Sequence, residues 1–199
     1  NGYTDVNVLL AKNTDSLLLD LINFYQVSSI EVNGKGQKFT HTDNKLYITS
    51  EKGFQQGPVT IRVNYSGQPP IAIKPPWSGG FTWTKDKSGN PWIAINCQKE
   101  GGRIYFPCKD HPSDEPNEGV DLFITIPDSL VVSGPGLLQK VTKHKKLATY
   151  YWKTNYTISN YCVLFNIGKY KVVKKDYTTI NGNVVPIEFY VLEEDVKEA

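Results

Sequence analysis

The chain has 199 residues, of which 39% are hydrophobic, 12% aromatic and 21% charged, and its formal net charge is +2. This is the composition of a globular protein, and no apolar run approaches the roughly 20 residues that a membrane-spanning helix needs. A net charge so close to zero creates no general attraction for polyanions. We therefore predict no nucleic-acid partner, no membrane span, and a single β domain over residues 1–199.

Alternation of apolar and polar residues predicts β-strands along most of the chain. Val59, Ile61, Val63 and Tyr65 alternate with polar residues, which is the pattern of a strand with one buried face. The same pattern predicts strands at 6–10, 17–21, 27–32, 45–49, 122–126, 146–153, 161–167 and 184–192. Turn signals such as NGKG at 33–36, EKGFQQGP at 51–58 and INGN at 180–183 separate them. No helical stripe lasts more than two turns, so the predicted fold class is all-β, with stacked antiparallel sheets.

One long section, residues 69–116, is predicted to be irregular. It carries Trp77, Trp83 and Trp92, and an insertion of this length usually has a function or covers another surface. The three indoles could form a platform on which a sugar stacks, or they could belong to a core or an interdomain face. The sequence leaves these alternatives open.

The three cysteines, Cys97, Cys108 and Cys162, cannot all pair within the chain. A count this low argues against a scaffold held by disulfides. We expect buried free thiols.

Nucleophilic catalysis is not supported by the histidines. A nucleophile needs a base within hydrogen-bond reach, and His41 and His144 lie in turn-like or basic contexts that indicate solvated positions. Neither is a credible base.

A metal site is also not predicted. His111, Cys108, Asp110 and Asp114 carry ligand atoms, but H-E-x-x-H and paired C-x-x-C motifs do not occur. The acidic series from Asp110 to Asp121 lacks the spacing of a calcium loop. We interpret it as a solvated loop whose carboxylates cap backbone amides or pair with Arg103 or Lys109. The acidic residues of the series are Asp110, Asp114, Glu115, Glu118 and Asp121.

A basic stretch precedes the aromatic run YYW. Lys140, Lys143, Lys145 and Lys146 resemble a nucleic-acid patch only superficially. Edge strands use lysine to discourage pairing with other chains. A β-hairpin with lysines on its solvent-exposed face is the preferred interpretation.

The stretch GGRIYFPCKDHPSDEP at 101–116 resembles the A-R-x-x-F-P-C-x-D-x-P signature of the amino-terminal domain of the aminopeptidase N family of zinc metallopeptidases. The residues that fall on the signature in register are Arg103, Phe106, Pro107, Cys108 and Asp110. Further segments are similar to the bacterial subgroup, namely PPWSGG at 75–80, YTISNYCVLFNIGKY at 156–170 and IEFYVL at 187–192. The resemblance covers nearly the whole chain.

The resemblance implies a saddle-like sandwich of antiparallel sheets that covers a separate catalytic domain. Family members begin with a further strand, so the first strand is expected to be missing, and the catalytic domain would follow Ala199. The zinc-binding H-E-x-x-H motif belongs to that next domain. The chain is therefore expected to hold no cofactor, with zinc in the catalytic domain, and to be inactive alone. Its implied location is extracytoplasmic or periplasmic.

The resemblance also implies a substrate contact. In the family, a glutamine or glutamate five positions before the signature arginine helps to bind the free amino group of the peptide, and that position here is Gln98. An amide oxygen can accept hydrogen bonds from an ammonium group. Asn96, Cys97 and Lys99 are the neighbours expected to shape the pocket for the first substrate residue.

The predicted function is that of the domain that covers the substrate cleft of a zinc aminopeptidase, with the catalytic domain and a peptide with a free N terminus as partners. Arg103, Asp110 and Cys108 are expected to form the structural corner that holds Gln98, the first two as an ion pair and the third as a small buried apolar group. The alternative is a stand-alone β-sandwich module that binds carbohydrate or protein. A third possibility is a purely structural domain that mediates assembly.

Overall fold

The computed structural model describes residues 1–75 and 77–199. Pro76, which belongs to the PPWSGG segment, lies outside the described residues. Within these residues the chain forms sixteen β-strands, three 3-10 helices and no α-helix, which confirms the all-β prediction. The described part of the chain contains no helix long and apolar enough to cross a membrane.

The strands follow the turn-separated segments of the sequence. Their bounds are β1 Gly2–Leu10, β2 Thr14–Asp20, β3 Gln26–Val32, β4 Lys35–Gly36, β5 Lys38–Thr42, β6 Lys45–Phe54, β7 Gly57–Ser66, β8 Gly80–Lys85, β9 Pro91–Asn96, β10 Asp121–Pro127, β11 Val131–Ser133, β12 Leu137–His144, β13 Leu147–Lys153, β14 Asn166–Gly168, β15 Lys171–Thr178 and β16 Val184–Val191. The 3-10 helices are Gly102–Ile104, Asn160–Cys162 and Glu193–Asp195.

The chain divides into two compact units. The first contains Asn1–Phe81, Asn96–Pro116 and Ile158–Cys162, and the second contains Thr82–Ile95, Asn117–Thr157 and Val163–Ala199. The single β domain predicted over residues 1–199 stays a prediction.

The first unit is a sandwich of two antiparallel sheets, ordered β1-β7-β3-β4 and β2-β6-β5. Alternate residues of both sheets face each other across one core, as in Val59, Ile61 and Val63 of β7. The other buried strand residues of this core are Leu17, Leu19, Ile30, Val32, Leu46, Ile48 and Phe54. On the outer face, Arg62 lies directly opposite Asp5 in the β1–β7 register. Both guanidinium contacts to that carboxylate are short, at 2.7 and 2.6 Å.

The second unit has its own core. Antiparallel strands in the order β10-β13-β12 pack Ala148, Tyr150 and Trp152 of β13 inward, with Val132 of β11 and Ile167 of β14. Strand β12 forms the edge of this sheet and is exposed along its whole length. Lys140 and Lys143 lie on it, which confirms the predicted lysine-bearing hairpin.

Three sequence predictions need correction. Residues 161–167 are not one strand, because only Asn166–Gly168 is extended. The Asn160 and Tyr161 carbonyls accept side-chain hydrogen bonds instead of bonds from a neighbouring strand. Residues 69–116 contain β8, β9 and a 3-10 helix and are therefore less irregular than predicted. The turn predicted at 51–58 shrinks to two residues, because β6 continues to Phe54 and β7 starts at Gly57.

Candidate functional site

The signature stretch begins with a tight reversal after β9. The amide of Gly101 donates to the carbonyl of Cys97 at 2.7 Å, which closes a turn over residues 97–101 and leads into the 3-10 helix Gly102–Ile104. Gly101 has a φ of 86°, in the region that favours glycine. Gln98 and Lys99 lie at the exposed apex of this turn.

Arg103 and Asp110 close the base of the turn. Arg103 Nε lies 3.6 Å from Asp110 Oδ2 and 3.0 Å from the carbonyl of Glu100, to which it donates. The amide of Gly102 donates to Asp110 Oδ1 at 3.3 Å. The predicted pairing of Arg103 with Asp110 is confirmed. Burial nevertheless raises the pKa of the Asp110 carboxyl, because desolvation outweighs the hydrogen bonds and the cation.

Cys108 and Asp20 connect this corner to strand β2. Their backbones form a two-bond antiparallel bridge, with Asp20 donating at 2.7 Å and Cys108 donating at 3.1 Å. The Asp20 carboxylate accepts from the amide of Asp110 at 3.1 Å. Cys108 is 4% exposed, and burial raises the pKa of its thiol, as expected for a small apolar group.

Phe106 and Pro107 fill the inside of the corner. Pro107 is fully buried, and the Phe106 ring meets the Tyr105 ring edge-on at 4.8 Å. The Phe106 ring also lies against Gly102. All five signature residues therefore contribute to one compact structural element.

Asn160 is a central part of the site that sequence reasoning missed. Its side-chain amide donates to the carbonyls of Lys109 at 2.8 Å and Asp114 at 3.3 Å, and its own backbone carbonyl accepts from the Tyr105 hydroxyl at 3.1 Å. Tyr25 supports the corner from the sandwich, because its hydroxyl donates to the carbonyl of Ile104 at 2.9 Å. Neither residue carries a sequence signal, since both partnerships join segments more than 50 positions apart.

A cavity of about 480 Å³ lies over this corner, within the first unit. Its walls combine the turn, the signature stretch and the Asn160 segment, and they are lined by Gln98, Lys99, Glu100, Gly101, Arg103, Asp110, His111, Pro112, Glu115, Ser159, Asn160 and Tyr161. The side chain of Gln98 is exposed at this cavity and has no hydrogen-bond partner within residues 1–75 and 77–199. Its amide oxygen and nitrogen are therefore free to contact a ligand.

The neighbours of Gln98 differ in what they can do. Cys97 is 1% exposed, its thiol donates to the carbonyl of Tyr161 at 3.1 Å, and burial raises its pKa to about 12. The thiol is therefore enclosed by protein, and the expected role of Cys97 in shaping a substrate pocket stays a prediction. Asn96 is half-buried, and its carbonyl packs against Gly79.

The burial of the three cysteines differs in part from the prediction of buried free thiols. All three cysteines are unpaired, and Cys97 and Cys108 are buried as expected, but Cys162 is exposed. The cause is the 3-10 helix Asn160–Cys162, which turns only Asn160 inward.

Local side-chain contacts hold the start of the acidic series, between Lys109 and Asp114. Lys109 forms an ion pair with Asp114, and His111 Nδ1 lies 2.8 Å from the Ser113 hydroxyl. The interpretation of these carboxylates as capping and pairing groups is confirmed for Asp110 and Asp114. Across the described residues, no group of three or more His, Cys, Asp or Glu side chains is arranged to hold a metal ion.

The remaining candidates lie elsewhere. His144 is exposed as predicted, but His41 is half-buried, with Nε2 2.9 Å from the carbonyl of Leu21. Trp77 and Trp83 are 73% and 51% exposed. Trp92 is half-buried and donates to the Tyr170 hydroxyl at 2.6 Å, which makes it a packing residue of the second unit.

Comparison with known proteins gives matches in structure only. No family model matches the chain, and no curated protein matches it in sequence. A two-domain M1 zinc metallopeptidase variant bound to L-arginine superposes with a TM-score of 0.78 at 22% identity. An M1 zinc metallopeptidase from Deinococcus radiodurans superposes at 0.77 with 21% identity, and a variant bound to a Tyr-Ser-Ala substrate superposes at 0.76 with 21% identity.

These matches cover 94% of this chain but only 42% of each solved chain. At such low identity the likeness establishes the fold. The chain thus has an all-β fold that is found in M1 zinc metallopeptidases, and the resemblance inferred from the signature is confirmed at that level.

Proposed function

We propose that this chain is the amino-terminal, cleft-covering domain of a zinc aminopeptidase and that Gln98 binds the free amino group of the peptide substrate. The proposal rests on the side chain of Gln98, which is exposed at a cavity and has no hydrogen-bond partner in the described residues. Water can satisfy this exposed amide until a ligand with complementary groups replaces it.

The chemistry of the ligand follows from the groups around Gln98. The cavity that Gln98 lines has three carboxyl-bearing residues, Glu100, Asp110 and Glu115, against the two cations Lys99 and Arg103, so acidic groups are in slight excess in its lining. An ammonium group is a donor with three N–H bonds and a positive charge, and it fits such a setting. The L-arginine and the Tyr-Ser-Ala substrate bound by the structurally similar enzymes carry a free α-amino group.

The corner beneath Gln98 supplies rigidity. The turn over residues 97–101 is closed by one backbone hydrogen bond and held by Arg103 and Asp110, so the Gln98 backbone is fixed before a ligand arrives. Preorganisation of this kind reduces the entropy lost on binding. In the full enzyme, zinc and its activated water would belong to the second domain.

The proposal is tested in the longer polypeptide that it implies, which we call the parent polypeptide. Gln98→Ala should lower kcat/KM for a free-amino peptide roughly ten- to a hundredfold, because a lost hydrogen bond to a charged group is worth about 1.5 to 3 kcal/mol. Gln98→Glu should retain binding, and bound zinc should not change. Gln55→Ala, which removes another exposed glutamine, is the matched control.

The same peptide with an acetylated N terminus provides the second arm. Loss of the ammonium should abolish the difference between wild type and Gln98→Ala. Equal relative losses on both peptides, or none on either, would remove Gln98 from the substrate site.

Carbohydrate binding is the second candidate, supported by the exposure of Trp77 and Trp83. Titration of the 199-residue chain with soluble oligosaccharides, followed by tryptophan fluorescence, separates the two. A saturable change that is lost in Trp77→Ala or Trp83→Ala would favour this candidate.

A further inference from the structure

The hairpin formed by β15 and β16 lacks the support that a two-stranded sheet needs. Its strands pair with each other from Lys171↔Val191 to Thr178↔Val184, and within the described residues neither strand pairs with a third. An isolated two-stranded hairpin is marginally stable in water unless one of its faces packs against something. The two faces of this hairpin are therefore the relevant surfaces.

The register assigns every side chain to a face, because directly opposed residues point to the same side. One face carries the pairs Lys171↔Val191, Val173↔Phe189, Lys175↔Ile187 and Tyr177↔Val185. We call it the apolar face, and its members are Val173, Tyr177, Val185, Ile187 and Phe189. The opposite face carries the pairs Val172↔Tyr190, Lys174↔Glu188, Asp176↔Pro186 and Thr178↔Val184.

The opposite face packs against the core of the second unit at its Tyr190 end. The Tyr190 ring meets Trp152 edge-on at 5.8 Å and Tyr170 at 6.4 Å, and it joins the core of the second unit. Lys174 and Glu188 form an ion pair at 2.6 Å, and the Tyr190 hydroxyl donates to Glu188 at 2.9 Å. The face that carries the ion pair is thus the one attached to the core.

The apolar face remains uncovered. Tyr177 is 55% exposed, Val185 and Phe189 are 44% exposed, and Ile187 is 37% exposed. Lys175 interrupts this surface and Lys171 lies at its end, and a lysine can lay its aliphatic stem along an interface while its ammonium stays in water. A contiguous apolar patch on a sheet face usually marks an interaction surface.

We propose that the apolar face docks against the second, zinc-carrying domain of the parent polypeptide; this inference rests on the proposed function. The solved chains with this fold continue beyond the matched part, which is 42% of their length. A domain in the same polypeptide is present at a high effective concentration, whereas a second copy of the chain must be captured from solution. The covalently linked domain is therefore the favoured occupant.

Two adjacent valines provide a matched test. Val185 lies on the apolar face and Val184 on the opposite one, and Val184 is the more exposed, at 63% against 44%. In the 199-residue chain alone, Val185→Lys and Val184→Lys should each shift the melting temperature by less than about 2 °C, as expected of surface changes. In the parent polypeptide, Val185→Lys should lower it by about 5 °C or more, because a charge enters an interface, while Val184→Lys should not.

Hydrogen exchange provides a second readout without any substitution. The amides of β15 and β16 should exchange at least about tenfold more slowly in the parent polypeptide than in the 199-residue chain. Equal melting of the two variants in the parent polypeptide, or unchanged exchange, would overturn the docking surface. A dimer of the 199-residue chain in sedimentation that Val185→Lys dissociates would assign the face to a second copy and overturn it too.

The proposed function is tested separately, by measuring whether the wild-type parent polypeptide cleaves a free-amino peptide. If the parent polypeptide cleaves the peptide but Val184→Lys and Val185→Lys melt at the same temperature, the proposed function is supported and the docking surface is contradicted. A parent polypeptide with neither cleavage nor bound zinc would remove both the function and the named occupant, whatever the melting shows.

Discussion

The carboxylate of Asp110 occupies the space beside Gly101 that a β-carbon would fill. Because Gly101 also has a positive φ of 86°, this position excludes a side chain for two independent reasons. The close approach lets Asp110 reach both the Gly102 amide and Arg103, and so it closes the turn that carries Gln98.

Gly101→Ala should destabilise the first unit by about 3 kcal/mol, because it adds steric displacement of Asp110 to the cost of a backbone conformation, φ 86° and ψ 177°, that is essentially confined to glycine. Gly34→Ala is the control, since Gly34 has a φ of 74° and no atom within 4 Å of its missing β-carbon. That change should cost only about 1 kcal/mol. Urea unfolding of both variants measures the difference, and equal losses would contradict the role assigned to Asp110.

Asp110 and Asp5 should give opposite pH dependences of stability. Burial raises the pKa of Asp110, so its contribution to stability is present below the ordinary aspartate value and is lost as the pH rises through its raised native pKa. Hydrogen bonding to Arg62 lowers the pKa of Asp5, so its contribution is present above the ordinary value and is lost as the pH falls through its lowered native pKa.

Urea unfolding between about pH 2.5 and pH 7 tests this contrast. Asp110→Asn should gain stability relative to wild type as the pH rises. Asp5→Asn should instead be less stable than wild type by about 0.5 to 1 kcal/mol at neutral pH, with the deficit fading in acid. Parallel pH profiles for the two variants would show that the corner does not desolvate Asp110.

Asn160 and Gln98 should separate structure from function in the 199-residue chain. Asn160→Ala removes the part-buried hydrogen bonds to the carbonyls of Lys109 and Asp114 and should cost about 1 to 3 kcal/mol, although the Lys109 carbonyl still accepts from the His111 amide. Gln98→Ala removes an exposed amide with no partner in the described residues and should stay within about 0.5 kcal/mol of wild type. A large loss for Gln98→Ala in thermal melts would reassign this residue to the structural corner.

The cysteines should react with a thiol reagent in two classes. Cys162 is exposed and should be modified at once near pH 8. Cys97 and Cys108 are buried with raised pKa values, so they should react only after unfolding. Titration with a chromogenic disulfide should count one fast thiol in the native chain and three in denaturant, and Cys162→Ser should abolish the fast class.

The 199-residue chain should bind no stoichiometric zinc and should cleave no aminoacyl substrate. The sequence has no H-E-x-x-H motif, and the described residues hold no cluster of metal ligands. Elemental analysis and a fluorogenic assay on the pure chain provide the measurements. One tightly bound zinc per chain, or turnover above the blank, would contradict this prediction.

The amino-acid sequence was sufficient for the elements that depend on local pattern. Strict alternation in β7 predicted a half-buried strand, because the side-chain period of an extended backbone is two. Strand β15 was missed, because lysine and aspartate dominate it and both of its faces have exposed positions, so its alternation is weak. The signature also indicated the Arg103–Asp110 pair, since these residues are only seven positions apart.

Tertiary structure alone decided which side chains are available at the site. Cys97 and Gln98 are adjacent in sequence, and both were expected at a substrate pocket. In the fold, the backbone carbonyl of Tyr161 accepts a hydrogen bond from the Cys97 thiol, while Gln98 stays exposed. Asn160 likewise reaches the corner from 51 positions away. Contacts of this kind leave no local pattern, because burial and hydrogen-bond partners depend on which distant segments the fold brings together.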